Sequence, residues 1–292
     1  EFESTTGKKV FIVAGNHDYI RTPVAQLLSI YADFGYNEAI AKDPNSGSYV
    51  AELKDGYVLL AIDSTGPSHQ QNAVTGARFD WIEAQLKNLK ASGKKVIAMS
   101  HYNVMEHFIL QSKIHTGSVL TPSDFKLASM LADNGVRYIF SAHTHAHDIA
   151  SYKSEKGNVI YEAVTNSMAQ YPCAYRVVTF GEKAVFRTDY VRSVDTSLFP
   201  DGIHEDALAL SQSNFLMYAK NCTYLGIRST IASYTKAKQL KKILKTDDET
   251  VNAVIDKAAV KLEEIAEMPI YKADAAEGEN SLEAMAENLG VD

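Results

Sequence analysis

An amide, an imidazole and a carboxylate stand side by side in Gly15-Asn16-His17-Asp18, directly after the apolar run at residues 10–14. Oxygen and imidazole ligands of this kind bind transition metals, and an imidazole beside a carboxylate exchanges protons near neutral pH. A short β-branched and aromatic run that ends at a glycine is typical of a buried strand. We therefore predict a strand at residues 10–14 that carries these groups at its carboxyl end, where open α/β sheets place their binding sites.

Two later segments repeat this arrangement of an apolar run followed by histidine. Residues 96–100 lead into His101, and residues 138–142 lead into His143 and His145. If the strands run parallel, their carboxyl ends meet at one edge of the sheet. Because side chains two residues apart at a strand end point to the same side, His143 and His145 are placed to reach neighbouring cations.

The three motifs, in this order and each after a predicted strand, resemble the second half of the signature of the calcineurin-like metallophosphoesterases. The resemblance covers roughly residues 1–195. It implies an α/β fold, a β-sandwich flanked by helices, and hydrolysis of phosphomonoesters or phosphodiesters. In this family a dinuclear centre clamps the phosphoryl oxygens and generates a metal-bound hydroxide as the nucleophile. The implied cofactors are two divalent or trivalent transition metals, namely Mn, Fe or Zn.

The resemblance also assigns metal ligands residue by residue. Asn16, His101 and His143 correspond to ligands of one cation, together with a bridging aspartate that this sequence lacks. Of the ligands of the other cation, only His145 has a counterpart here. We therefore expect at most one well-formed metal site in this chain.

Two further residues take catalytic roles from the resemblance. His17 corresponds to the group that stabilises or protonates the leaving oxygen, and Asp18 to the group that holds its ring and tautomer. A carboxylate there opposes the loss of the imidazole proton near two cations. Asp63, at the end of another predicted strand, is the internal carboxylate that we consider as a stand-in for the missing ligands. Ala142 replaces the glycine that the family usually has before its paired histidines, and we expect this change to be tolerated.

The first half of the family signature, an Asp-x-His followed by a Gly-Asp, has no counterpart in the fourteen residues that precede Gly15. We interpret the chain as N-terminally truncated, with the first strands of the sandwich missing. Exposed sheet should then make the chain marginally stable or prone to self-association. The alternative is a non-catalytic, degenerate or incomplete phosphoesterase module with a binding or structural role.

Composition bounds the possible partners. The 292 residues are 46% apolar and 22% charged, as in ordinary globular proteins. A net charge of −7 argues against a nucleic-acid-binding surface, which needs a basic stripe. No apolar run reaches the ~18 residues that a transmembrane segment requires. The expected substrate is a small-molecule or nucleotide phosphoester. The surroundings of the motifs are similar to those of secreted or lipid-anchored bacterial members of the family.

The remaining pattern predicts two domains, an α/β domain at residues 1–200 and a C-terminal α-helical region at 201–292. Within the first, it predicts a hairpin turning at residues 55–56, helices at 78–91 and 123–134, and consecutive strands after residue 158. The polar loop at residues 102–121 is predicted to form a lid or wall beside the site. Its His107 and His115 are candidate substrate contacts. Cys173 and Cys222 are interpreted as small hydrophobes or as a pair.

Overall fold

The structure of the protein is a computed structural model. It describes residues 2–19, 22–65, 74–108, 111–114, 117–120, 125–199 and 201–223. The chain divides into two compact units, of which the first contains residues 1–165 and the second begins at Asn166. The division into domains at residue 200 stays a prediction. No helix in the described ranges is both long and apolar enough to cross a membrane.

The first unit combines one large sheet with flanking helices, as the sequence predicts. Its strands are β1 (Ala41–Lys42), β2 (Tyr49–Glu52), β3 (Tyr57–Ile62), β4 (Lys95–Ser100), β5 (Tyr138–Ser141), β6 (Ile149–Lys153) and β7 (Val159–Val164). Its helices are α1 (Phe2–Thr6), α2 (Val24–Ile30), α3 (Ala77–Ala91), α4 (Gln111–Ile114) and α5 (Lys126–Asp133). An irregular helical turn at Ala32–Tyr36 follows α2.

The sheet has seven strands in the order β1-β2-β3-β4-β5-β7-β6. The central strands β3, β4, β5 and β7 are parallel, and antiparallel pairs close both edges. The predicted hairpin between β2 and β3 is confirmed, with Asp55 and Gly56 at positive φ angles of 57° and 77°. The parallel centre brings the carboxyl ends of β4 and β5 together, because these strands are direct neighbours.

The predicted strand at residues 10–14 is wrong, since this segment joins no sheet. Its backbone groups find other partners. Val10 N–H donates to Glu3 Oε1 at 2.7 Å, and Ile12 N–H donates to the carbonyl of Phe34 at 3.2 Å. The hydroxyl of Tyr49 donates to the Ile12 carbonyl at 2.8 Å. A strand requires a neighbouring ladder, and side chains and a turn occupy that place here.

A cavity of about 250 Å³ borders this segment. Its lining includes Ile12, Val13, Leu27, Phe34 and Asp63. The apolar side chains at residues 10–14 are accordingly only half-buried, whereas a central strand of the sheet such as β3 is buried almost throughout.

Helix α3 confirms the prediction for residues 78–91. Its apolar residues recur at helical spacing, and Ile82, Leu86 and Leu89 are buried in the main core. Gly93 follows the helix at a φ of 68°, a left-handed angle that glycine adopts without steric cost. The packed face of α3 therefore covers the strands that lead to the site.

Helix α5 is confirmed in position and begins at Lys126, after Phe125 in a left-handed conformation with a φ of 46°. Leu127 and Leu131 are fully buried in the same core as α3. Ser123, which the sequence predicts as the cap of this helix, lies outside the described residues.

The second unit contains the antiparallel pair β8 (Ala174–Thr179) and β9 (Val185–Tyr190), which confirms the last two predicted strands. Helix α6 (Glu205–Ser213) begins the predicted helical region. The part of that region from residue 224 onward lies outside the described residues. Cys173 and Cys222 are both free, the first buried and the second exposed, so they do not form the pair considered from the sequence.

Candidate functional site

The register of β4 and β5 places two predicted ligands side by side. Met99 pairs with Phe140, so His101 and Ala142 follow the strands at matching positions. Ala142 N–H donates to the His101 carbonyl at 3.1 Å, which extends the pairing past both strand ends. His143 is the next residue, and its ring centroid lies 5.0 Å from that of His101.

Asn16 reaches the same point from the segment that is not a strand. Its Oδ1 lies 2.8 Å from Nε2 of His101, and Nδ1 of His143 lies 3.2 Å from the same nitrogen. Ligand atoms that share one cation at about 2.0–2.2 Å lie about 2.8 to 3.6 Å from one another, from octahedral to tetrahedral coordination. Asn16 and His143 therefore both approach Nε2 of His101 at separations that fit a common cation.

Gly15 allows this approach. A Cβ atom at this position would lie 2.9 Å from both Cε1 and Nδ1 of His101, closer than real Cβ contacts. The glycine is required because the backbone of the Gly15-Asn16 turn passes directly beside the imidazole ring.

The environment of His101 favours the form that binds metals. The pKa of its imidazole is lowered to about 4, chiefly by burial; nearby Asp18 acts to raise it, and His145 and His17 act to lower it. A neutral imidazole has a lone pair available for a metal without first losing a proton. The same effects place His17, Asp18 and His145 within electrostatic reach of His101.

Asp18 organises the turn that carries Asn16. Its Oδ2 accepts the N–H of Gly15 at 2.7 Å, which closes the turn over these four residues. His17 and Asp18 are exposed at the surface of the first unit. The predicted roles of His17 in protonating a leaving group and of Asp18 in holding its ring stay predictions.

The segment with the paired histidines has an unusual backbone. His143, His145 and His147 have positive φ angles of 61°, 54° and 51°. The left-handed region costs an L residue about 1 to 2 kcal/mol, so this alternation persists only if the surroundings hold it. Strand periodicity therefore does not describe the geometry of this turn, contrary to the sequence argument.

Asp63 does not serve as the stand-in carboxylate considered from the sequence. Its Oδ2 accepts the Tyr19 hydroxyl at 3.0 Å and the Gly47 N–H at 2.9 Å, and its Oδ1 accepts the N–H and hydroxyl of Thr65 at 3.2 and 2.8 Å. These four bonds use the acceptor positions of the carboxylate. In the part of the chain that the structure describes, no three His, Cys, Asp or Glu side chains group to hold a metal.

The loop at residues 102–121 is not a lid in its described part. Tyr102, Asn103 and Gln111 are fully buried, and the Tyr102 ring lies 4.4 Å from His143, so the loop forms a wall inside the fold. His107, one candidate substrate contact, is buried as well and is therefore wrong in that role. His115, the other candidate substrate contact in this loop, lies outside the described residues.

Residues 2–147 match the family model of the calcineurin-like phosphoesterases, which is half of the chain. The protein therefore belongs to the calcineurin-like phosphoesterase family. Among solved structures, it is similar to a dimetal phosphatase from Danio rerio, with a TM-score of 0.48 and 13% identity over 63% of this chain and 70% of that one. No curated protein matches the sequence.

Proposed function

We propose that this protein is a metal-dependent phosphohydrolase that cleaves phosphomonoesters or phosphodiesters, with Asn16, His101 and His143 as ligands of one cation. The observation that carries the proposal is their convergence, at 2.8 and 3.2 Å between ligand atoms. Membership of the phosphoesterase family supports the class of reaction. The lowered pKa of His101 supports its role as a neutral ligand.

The other candidate residues of the chain each have a proposed role. Mn, Fe or Zn bound at this site would supply Lewis-acid polarisation of the phosphoryl oxygens and activation of water. His145 is proposed to face the second cation from the turn that carries His143. His17 is proposed to donate a proton to the leaving oxygen. Asp18 keeps the turn of Asn16 closed through its bond to Gly15.

A small-molecule or nucleotide phosphoester is the proposed substrate. The net charge of −7 favours a small substrate held by cations over a long polyanion, because an acidic surface repels nucleic acid. We therefore propose no nucleic-acid surface, and self-association through exposed sheet stays a prediction.

A non-catalytic module is the second candidate, and two observations favour it. The described residues contain no group of three His, Cys, Asp or Glu side chains arranged around a metal. Asp63, the internal carboxylate considered for the second site, accepts hydrogen bonds from Tyr19, Gly47 and Thr65. A protein of this kind would bind one cation or a phosphate ester without turnover.

Metal content and hydrolysis distinguish the two candidates. The purified protein is incubated with Mn²⁺, freed of excess metal and analysed for bound Mn per chain. It is then assayed with p-nitrophenyl phosphate and bis(p-nitrophenyl) phosphate. His143→Ala removes a proposed ligand, and His204→Ala is the matched control because that imidazole is exposed beside α6.

The phosphohydrolase proposal expects bound Mn and hydrolysis of at least one ester, both lost in His143→Ala and retained in His204→Ala. Bound Mn without hydrolysis supports the non-catalytic module. A wild-type protein that binds no Mn, or a His143→Ala variant that binds as much as wild type, refutes the proposed ligand set.

A further inference from the structure

The segment that follows His101 buries a group of charges that the proposed mechanism does not use. His107 lies between two buried carboxylates, with Nδ1 at 2.9 Å from Asp148 Oδ2 and Nε2 at 3.1 Å from Glu162 Oε2. Glu162 also accepts the backbone N–H groups of Val104 and Met105, at 2.9 to 3.0 Å. A buried charge is tolerated only when it is paired and hydrogen-bonded; His107 is paired with both carboxylates and hydrogen-bonded to Asp148.

The cluster connects three parts of the chain that are separate in sequence. His107 belongs to the loop after β4, whereas Asp148 ends the turn of the paired histidines and Glu162 lies in β7. The Asp148 carbonyl also accepts Val164 N–H at 2.9 Å. The end of the histidine turn is therefore attached both to the loop and to the sheet.

Asn103 attaches the beginning of the same turn to the loop after β4. Its Nδ2 donates to Ser141 Oγ at 3.0 Å and to the Ala142 carbonyl at 3.3 Å. Its Oδ1 accepts the hydroxyl of Thr144 at 3.2 Å. Thr144 stands between His143 and His145, so this bond acts at the centre of the ligand pair. Asn103 is fully buried and is itself fixed by Gln111 Nε2 at 2.7 Å.

We propose that Asn103 and His107 are positioning residues that hold the turn at residues 142–148 from both ends. The three left-handed histidines of this turn need such support, because positive φ angles strain residues other than glycine. The loop after β4 thereby orients His143 and His145 without touching a substrate. As an assignment of metal-orienting residues, the inference rests on the proposed function.

Backbone amide hydrogen exchange tests the attachment without any metal. The variants are Asn103→Ala, which removes the bonds to Ser141, Ala142 and Thr144, His107→Gln, which removes the buried cation, and Asp148→Asn, which keeps the side-chain shape but removes the ion pair. We expect exchange at residues 142–148 to be at least tenfold faster in all three, with β4 little changed. Leu131→Ala is the control, since it opens a cavity in the core under α5 and removes none of the hydrogen bonds or ion pairs that hold the turn.

Mn²⁺ affinity, measured by isothermal titration calorimetry on the same folded variants, tests the consequence. Loss of a partner that orients a ligand typically weakens metal binding 10- to 100-fold. We expect this loss in His107→Gln and Asp148→Asn and an unchanged affinity in Leu131→Ala. If His107→Gln fails to fold, Asp148→Asn decides alone, because its remaining His107–Glu162 pair still neutralises the buried charge.

Unchanged exchange in the turn, or faster exchange that is equal in Leu131→Ala, overturns the inference. Normal Mn²⁺ affinity in a variant whose turn exchanges rapidly also overturns the inference. A wild-type protein that binds no Mn²⁺ refutes the proposed function instead, and the exchange measurement then still decides whether Asn103 and His107 hold the turn.

Discussion

The buried His107 cation should make the protein less stable as the solution becomes alkaline. Burial lowers the pKa of this imidazole, but hydrogen bonds to Asp148 and Glu162, and their charges, outweigh burial and raise it to about 9. In the unfolded chain the pKa is about 6.5. Between these two values the folded protein holds one proton more than the unfolded chain. The stabilisation is therefore complete below pH ~6.5 and is lost as the pH rises through ~9.

The size of the effect follows from the difference between the two pKa values. One proton of difference changes the free energy of unfolding by about 1.4 kcal/mol per pH unit. Over a window of about 2.5 units the contribution is therefore about 3 kcal/mol. That is a large part of the ~5 to 15 kcal/mol by which a typical domain is stable.

Urea denaturation followed by circular dichroism, in steps from about pH 6 to about pH 9.5, measures this dependence. His107→Gln is the reference, because glutamine does not titrate and all other groups remain. The difference in unfolding free energy between the two proteins should shrink by about 3 kcal/mol across the window. If the glutamine variant does not fold, Glu162→Gln replaces it and should shift the loss of stability to lower pH. Parallel curves for wild type and variant would refute the assignment of a cationic His107.

Two further predictions concern the approach of Asn16 to His101 and the support of Asp63. Gly15→Ala should leave the fold intact but displace the His101 ring, since the new Cβ would lie 2.9 Å from it. Calorimetry should show Mn²⁺ binding at least ~10-fold weaker, and normal affinity would contradict the required close approach. Tyr19→Phe removes the buried hydroxyl that donates to Asp63 at 3.0 Å. It should cost about 1 to 2 kcal/mol in urea unfolding, and an unchanged midpoint would show that the bond contributes nothing.

Much of the framework around the site could be predicted from the sequence. The apolar runs before His101 and His143 form adjacent parallel strands, and helix α3 occupies the predicted residues. Local signals suffice there, because hydrophobic periodicity and glycine stops act within one element. The family is also recognised from the order of these motifs, and the family match confirms it. The interpretation of the chain as truncated stays a prediction.

The segment at residues 10–14 shows where such local signals fail. Its composition favours a strand, but a strand forms only beside a ladder of backbone partners. In the structure Phe34, Tyr49 and Glu3 supply those partners instead. The prediction of a strand was wrong, yet Asn16 still reaches His101, because the turn after the segment and not its pairing sets that distance.

The sequence by itself determined the family, the helices and parallel strands, and the candidate ligands Asn16, His101 and His143. Only the tertiary structure decided that Asp63 is a structural acceptor and that His107 is buried between Asp148 and Glu162. The physical reason is separation along the chain. His107 and Asp148 are 41 residues apart, and no local sequence pattern indicates which distant carboxylate a polar residue will contact. The pairing exists only because folding brings the loop, the histidine turn and β7 together in a low-dielectric interior, where an unpaired charge would be costly.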